Sequence, residues 1–148
     1  MMDAGLFKEA LEYTEDALLQ TPEAVSCGYC DLLYAYGVAL YRLERYPEAA
    51  EIIDKGYEVA QKLGEKDRIR NLLKWKASCA KVTGKSEEAD KIYSGLEEEY
   101  EQDEDKRALI ATCYERASSA FLFEGNREKA FELLEKAAQY ARETGQRA

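Results

Sequence analysis

The chain of 148 residues contains no histidine. That removes the commonest general base, the commonest metal ligand and the usual partner of a nucleophilic serine or cysteine. The remaining nucleophiles with distinctive chemistry are four cysteines, Cys27, Cys30, Cys79 and Cys113. Cys27-Gly-Tyr-Cys30 has the spacing of a redox dithiol, but the strand leading into a helix that such a motif needs is missing. A zinc site would require Cys79 and Cys113 to converge on that pair from elsewhere in the chain. Four reduced, structural thiols are the favoured reading, with redox or metal chemistry as the other. Carboxylates are abundant, yet runs such as Glu97-Glu98-Glu99 read as a solvated helix face. There is no glycine-rich phosphate loop and no nucleophile–base pair. No catalytic residue, cofactor or metal site is expected, and the chain reads as a non-enzyme.

Charge and hydropathy narrow the partners. A formal net charge of −9 disfavours a nucleic-acid backbone as ligand. No apolar run approaches the roughly 20 residues of a membrane span, and the acidic, amphipathic N-terminus does not resemble a signal peptide. A soluble, cytoplasmic protein is expected. Hydrophobic content of 46% in a chain of this length allows one domain with a real core.

The elements that must position any site come from a repeat. The phrase Ala4-Gly-Leu-Phe-Lys-Glu-Ala10 returns as Leu43-Glu-Arg-Tyr-Pro-Glu-Ala49, Thr83-Gly-Lys-Ser-Glu-Glu-Ala89 and Glu124-Gly-Asn-Arg-Glu-Lys-Ala130, its closing alanines 39, 40 and 41 residues apart. A fixed period in this range, with helical sequence between landmarks, implies stacked helix pairs. Periodicity and punctuation predict seven helices. The first runs from about Leu6 to Gln20, with Phe7, Ala10, Leu11, Thr14, Ala17 and Leu18 on one stripe. Thr21 as N-cap and Pro22 in the first turn open the second, to about Leu43. Pro47 opens the third, which Gly64 stops. The fourth spans about Lys66 to Val82. Ser86 caps the fifth, which reaches about Tyr100, and an acidic stretch from Glu97 to Asp105 links it to the sixth, about Lys106 to Phe123. The last runs from Arg127 to Thr144. Within each phrase the glycine, or Glu44 in its place, occupies a tight turn, and the closing alanine a close helix crossing.

These residues resemble the tetratricopeptide repeat, a helix–turn–helix unit of the α-solenoid class. The resemblance rests on a small residue in the first helix (Gly37, Ala77, Ser118) and the turn glycine (Gly84, Gly125). It rests also on an aromatic after the turn (Phe7, Tyr46), the small residue opening the second helix, and a large residue four positions on (Ile53, Tyr93, Leu134). It covers nearly the whole chain. The repeat is longer than the common one of about 34 residues, and endings such as Ala60-Gln-Lys-Leu-Gly64 are similar to a subclass with repeats near 40. The resemblance implies an all-α solenoid of antiparallel helix pairs in a right-handed superhelix. A half repeat would fill 1–20 and full repeats about 22–64, 65–102 and 103–145, all in one domain. The chain reads either as a free-standing adaptor or as a piece of a longer solenoid.

What the resemblance implies for function is a concave surface lined by the first helix of each pair and occupied by an extended peptide or a partner helix. Positions at i, i+3, i+7 and i+10 share a face. The first full repeat then offers Asp31, Tyr34, Val38 and Tyr41, edged by Arg42. The second offers Asn71, Lys74, Ser78 and Lys81, flanked by Trp75. The third offers Thr112, Glu115, Ser119 and Leu122, flanked by Arg116. Basic and aromatic groups interleaved in this way suit an acidic or amphipathic protein segment. The alternative is that the aromatics pack helices and the lysines are ordinary solvated charges. A carboxylate clamp for chaperone C-termini is excluded, since only Arg116 of its five positions matches. A non-catalytic interaction module or adaptor is the leading expectation, and a peptide-sensing fragment of a larger signalling or transcription regulator is the alternative. The N-terminal helix, carrying Leu6, Phe7, Ala10 and Leu11 without a preceding partner, is expected to self-associate or to receive another segment.

Overall fold

The computed structural model describes residues 4–145. Among them are seven α-helices and no strand. They are α1 (Ala4–Gln20), α2 (Cys27–Arg42), α3 (Tyr46–Leu63), α4 (Lys66–Val82), α5 (Ser86–Gln102), α6 (Lys106–Ser119) and α7 (Arg127–Gly145), with a π-helical turn over Ala120–Glu124 between the last two. The fold class is all-α, of the helix–turn–helix repeat, α-solenoid kind. Contacts gather into two units, one ending at Cys79 and one beginning at Ala80, a boundary in the last turn of α4.

In the first unit, α1 packs on α2 and α2 on α3. The core comprises Leu11, Cys30, Ala39, Leu40, Ala49, Ile53, Ala60, Leu72 and Cys79. Two glycines set how closely the helices approach. A Cβ on Gly37 would stand 2.7 Å from Cγ1 of the buried Ile53, so α2 and α3 cross there with no room for a methyl group. A Cβ on Gly56 would meet Leu72 at 3.1 Å and Leu33 at 3.5 Å, which places α3 between α2 and α4. In the second unit α6 packs on both α5 and α7. Tyr93, Leu96, Leu109, Cys113, Ala117, Ala130 and Leu133 are buried there.

The tight turns require positive φ, and the residue type yields to that need. Gly84 and Gly125 adopt φ of 84° and 66°, and Glu44, at the equivalent place, adopts 62°. Glu44 N–H donates to Tyr41 O and Arg45 N–H to Leu40 O, the paired bonds that end a helix on a left-handed residue. Glu104, between α5 and α6, does the same at φ 56°.

Several expectations are corrected. α2 begins five residues later than Pro22 predicts: Ser26 is its N-cap, accepting from Tyr29 N–H, and Thr21 donates its hydroxyl back to Ala17 O. A local bond to the preceding turn competes with capping, and 22–26 form a loop. The fifth helix starts at Ser86 itself, with Lys85 in the cap position and no side-chain cap. Ala49, Ala89 and Ala130 are buried at the expected crossings, but Ala10 is exposed, since among the described residues no helix precedes α1 to cross it. On the same helix Leu11 is buried, Phe7 half-buried and Leu6 exposed.

The uneven spacing of the repeat also has a structural cause. The buried residues Leu33, Gly37 and Leu40 of α2 align at a spacing of 80 with Cys113 and Ala117 of α6 and with Ala120, the first residue of the π-helical turn, whereas Ala49 and Ala130 are 81 apart. The extra residue is taken up by the π-helical turn at Ala120–Glu124, where Asn126 N–H reaches back to Ala120 O.

Candidate functional site

α2 and α4 lie side by side in the first unit, and the predicted face of α2 turns toward α4. Trp75 donates its indole N–H to Tyr34 Oη at 2.9 Å. Tyr41 meets the same indole edge-on, centroids 5.1 Å apart, and also stacks edge-on against Tyr46. The Arg42 guanidinium carbon stands 5.3 Å over the indole, a cation–π contact. All four aromatics are half-buried, while Arg42, Asn71 and Lys74 are exposed. The cluster therefore serves both roles that the sequence left open: it joins two helices and still presents ring and cationic surface to solvent. Ser78 is half-buried and returns its hydroxyl to Lys74 O.

Beside this cluster a pocket of about 150 Å3 is lined by Cys30, Asp31, Tyr34, Arg68, Asn71 and Leu72. Its polar wall is the two-bond pair from Arg68 Nε and Nη2 to the Asp31 carboxylate, at 2.9 and 3.1 Å. Arg68 also pairs with Glu65, which accepts from Cys27 Sγ at 3.2 Å. The Asp31 carboxylate beside Arg68 holds that guanidinium above its ordinary pKa. Asp31 lies on the expected face, whereas Arg68, three residues before Asn71, is not among the expected residues, and nothing in the helix spacing gives their pairing.

The other predicted residues are placed differently. Lys81 is buried, with Nζ 2.8 Å from Glu115 Oε2. Ser119 is buried and its Oγ has no hydrogen-bond partner. Arg116 turns into the space between helices. Its Nε donates to Asp90 at 3.0 Å and its Nη1 to Glu97 at 2.5 Å. The π-helical turn accounts for the offset. Its extra residue comes late in the repeat, so the equivalents of Asp31, Tyr34, Val38 and Tyr41 are Ala111, Tyr114 and Ser118 of α6 and Phe121 of the π-helical turn. Tyr114 and Phe121 are 60% and 50% exposed, whereas Thr112, one position on, is buried.

Glu97 is a further correction. Read as part of a solvated acidic run, it is 5% exposed and central to a polar network. It binds Arg116, accepts from Cys113 Sγ at 3.0 Å and pairs with Lys136 at 3.2 Å. Asp90 pairs with Arg116 and Lys129. Burial would raise the Glu97 carboxyl, but the Cys113 and Lys136 hydrogen bonds and the Arg116 charge outweigh it, holding the group below the usual carboxylate range. Asp90 is lowered in the same way, burial being outweighed by Arg116 and Lys129. The signal available in sequence was spacing: Leu96, Glu97 and Tyr100 share the buried face of α5 with Tyr93.

The four cysteines are free thiols, and all but Cys27 are buried. Burial pushes Cys79 up to about 11, and burial together with Glu97 pushes Cys113 up to about 12. Among the described residues no three acidic or cysteine side chains lie together as a metal site would need, and no helix is long and apolar enough to cross a membrane. A scan of protein-family models finds no family that matches this chain, and no characterised protein matches it in sequence.

Proposed function

We propose that this chain is a non-catalytic interaction module of the tetratricopeptide type, in the long-repeat form, that binds an acidic or amphipathic segment of a partner protein. In this reading the segment lies on the α2–α4 face of the first unit. The observation that carries it is the joined cluster of Tyr34, Tyr41, Trp75 and Arg42, half open to solvent, with Lys74 and Asn71 exposed beside it. Rings held rigid by neighbouring helices bind at low entropic cost. The two cations stand in a chain of net charge −9, where a local positive site selects acidic partners by contrast.

Trp75 is the only tryptophan, so its emission reports this face directly. A partner captured from native lysate should shift Trp75 emission on titration and bind more weakly as salt is added. The double variant Arg42→Glu, Lys74→Glu should weaken it at least tenfold while leaving the thermal melt unchanged. Unaltered affinity in that variant would place the binding elsewhere.

A further inference from the structure

Cys27-Gly28-Tyr29-Cys30 forms the opening turn of α2, and its two thiols have different surroundings. Cys27 is half-buried and stays outside the hydrophobic cluster that holds Cys30 and Cys79. Its Sγ donates to Glu65 Oε1 at 3.2 Å, and Glu65 in turn pairs with Arg68. Cys30 is 1% exposed, donates weakly to Gly56 O at 3.6 Å, and forms part of the wall of the 150 Å3 pocket. Packing accounts for Cys30 and Cys79. It does not account for a thiol whose hydrogen-bond partner is a partly exposed carboxylate.

Spacing and position bring the two sulfurs within reach of each other. Side chains three apart on a helix have Cβ atoms roughly 5–6 Å apart, and a disulfide needs them at about 3.5–4.5 Å. A first helical turn can tighten by that much toward 3₁₀ geometry, because its N–H groups have no intrahelical partners to lose. Here the turn hangs on Ser26, whose side chain accepts from Tyr29 N–H and whose carbonyl accepts from Cys30 N–H. Rotation of the Cys27 side chain away from Glu65 then closes the gap, with Cys30 keeping its place in the core. Closure needs a capped helix start and not the preceding strand of an α/β unit. Burial pushes the Cys30 thiol up, with Asp31 adding to it and Arg68 opposing it. The more accessible Cys27 is thus the first to react and Cys30 the second.

We propose that Cys27 and Cys30 are a redox-modification site, a dithiol that a low-molecular-weight disulfide such as oxidised glutathione converts to an intrachain disulfide. Cys27 sulfur, as thiolate, attacks one sulfur of the oxidant, forming a mixed disulfide and expelling the first glutathione thiolate. Cys30 sulfur, as thiolate, attacks the Cys27 sulfur and expels the second. The two thiol protons end on the two glutathiones, and the two electrons lost by the protein are gained by the oxidant. Closure frees Glu65 from Cys27 and leaves it to Arg68, whose other bonds hold Asp31 on the α2–α4 face. The site stands whether or not that face binds a partner.

The test equilibrates the whole protein in mixtures of reduced and oxidised glutathione, quenches with a maleimide, and reads chymotryptic peptides by mass spectrometry. Cleavage after Tyr29 separates the two cysteines, so their disulfide appears as a joined pair of peptides. That pair is expected at a midpoint independent of protein concentration, with Cys79 and Cys113 unlabelled and the circular dichroism unchanged. Cys30→Ala should halt the reaction at one glutathione on Cys27. Glu65→Ala removes the bond that holds the reduced thiol, and should shift the midpoint about two- to tenfold toward the disulfide. The proposal is overturned by a wild type that stays reduced in excess oxidised glutathione, or that stops at the mixed disulfide. It is overturned equally by joining of Cys27 or Cys30 to another cysteine, by oxidation only as fast as Cys79 becomes labelled, or by a midpoint that Glu65→Ala leaves in place.

Discussion

Replacing Glu97 by glutamine removes one negative charge from the interior of the second unit while keeping its shape. The Glu97 side chain is 7% exposed and Arg116 is 15% exposed, so the pair is shielded from water. Breaking a buried pair from one side costs about 3–5 kcal/mol, because the other charge is left uncompensated. Here Arg116 keeps Asp90 at 3.0 Å, and Lys136, 43% exposed, can return to solvent. The cost should therefore fall to about 2–3 kcal/mol. For a chain of this length that lowers Tm by roughly 5–10 °C. Because the folded Glu97 pKa lies below its unfolded value, the stabilisation is fully present above about pH 4.3 and is lost as pH falls through the folded value. The gap between wild type and Glu97→Gln should thus narrow in acid. Urea unfolding followed by circular dichroism from pH 7 to pH 3 measures both quantities, and adding Arg116→Met to the variant should recover about 1 kcal/mol in a double-mutant cycle. A Glu97→Gln protein within about 0.5 kcal/mol of wild type at pH 7, or a gap that widens in acid, refutes the reasoning.

Glu44→Gly should stabilise the fold by about 0.5–1 kcal/mol, since a left-handed L-residue is strained by about 1–2 kcal/mol and glycine returns only part of that in the unfolded chain; a denaturant midpoint that falls counts against it. Gly37→Ala should destabilise by about 1–3 kcal/mol through overpacking against Ile53, read in a thermal melt. With a maleimide at neutral pH the native protein should label at Cys27, while Cys79 and Cys113 react only on unfolding, which mass spectrometry of the labelled peptides resolves.

Much of the fold was legible because its punctuation is chemical. Pro47, Gly64, Gly84 and Gly125 each act where a helix must start or stop, and Ala49, Ala89 and Ala130 occupy positions without room for more. The errors came where two local preferences competed. Thr21-Pro22 is a sound helix start in isolation, but Ser26 with Tyr29 N–H three residues on makes a better one. The α2–α4 face was legible as a set of residue types, and its internal bonding was not, since Trp75 to Tyr34 is a contact between residues 41 apart. Glu97 was misread because composition sees a run of three glutamates, whereas only one of them falls on the buried side of α5. Arg116 was placed beside an outward face, whereas it pairs with Asp90 and Glu97 between helices.

The π-helical turn also shows where this repeat tolerates a change of length. A residue added inside an α-helix rotates everything after it by about 100° and would exchange the buried and exposed faces downstream. By taking the residue into one wide turn at Ala120–Glu124, just before the hairpin, the chain keeps Ala130, Leu133 and Ala137 buried on α7. Single-residue insertions and deletions at the end of a first helix are thus absorbed without repacking the second. Repeats of unequal period can then share one pattern of core positions, and alignments of such chains should place their gaps at this turn rather than within the helices.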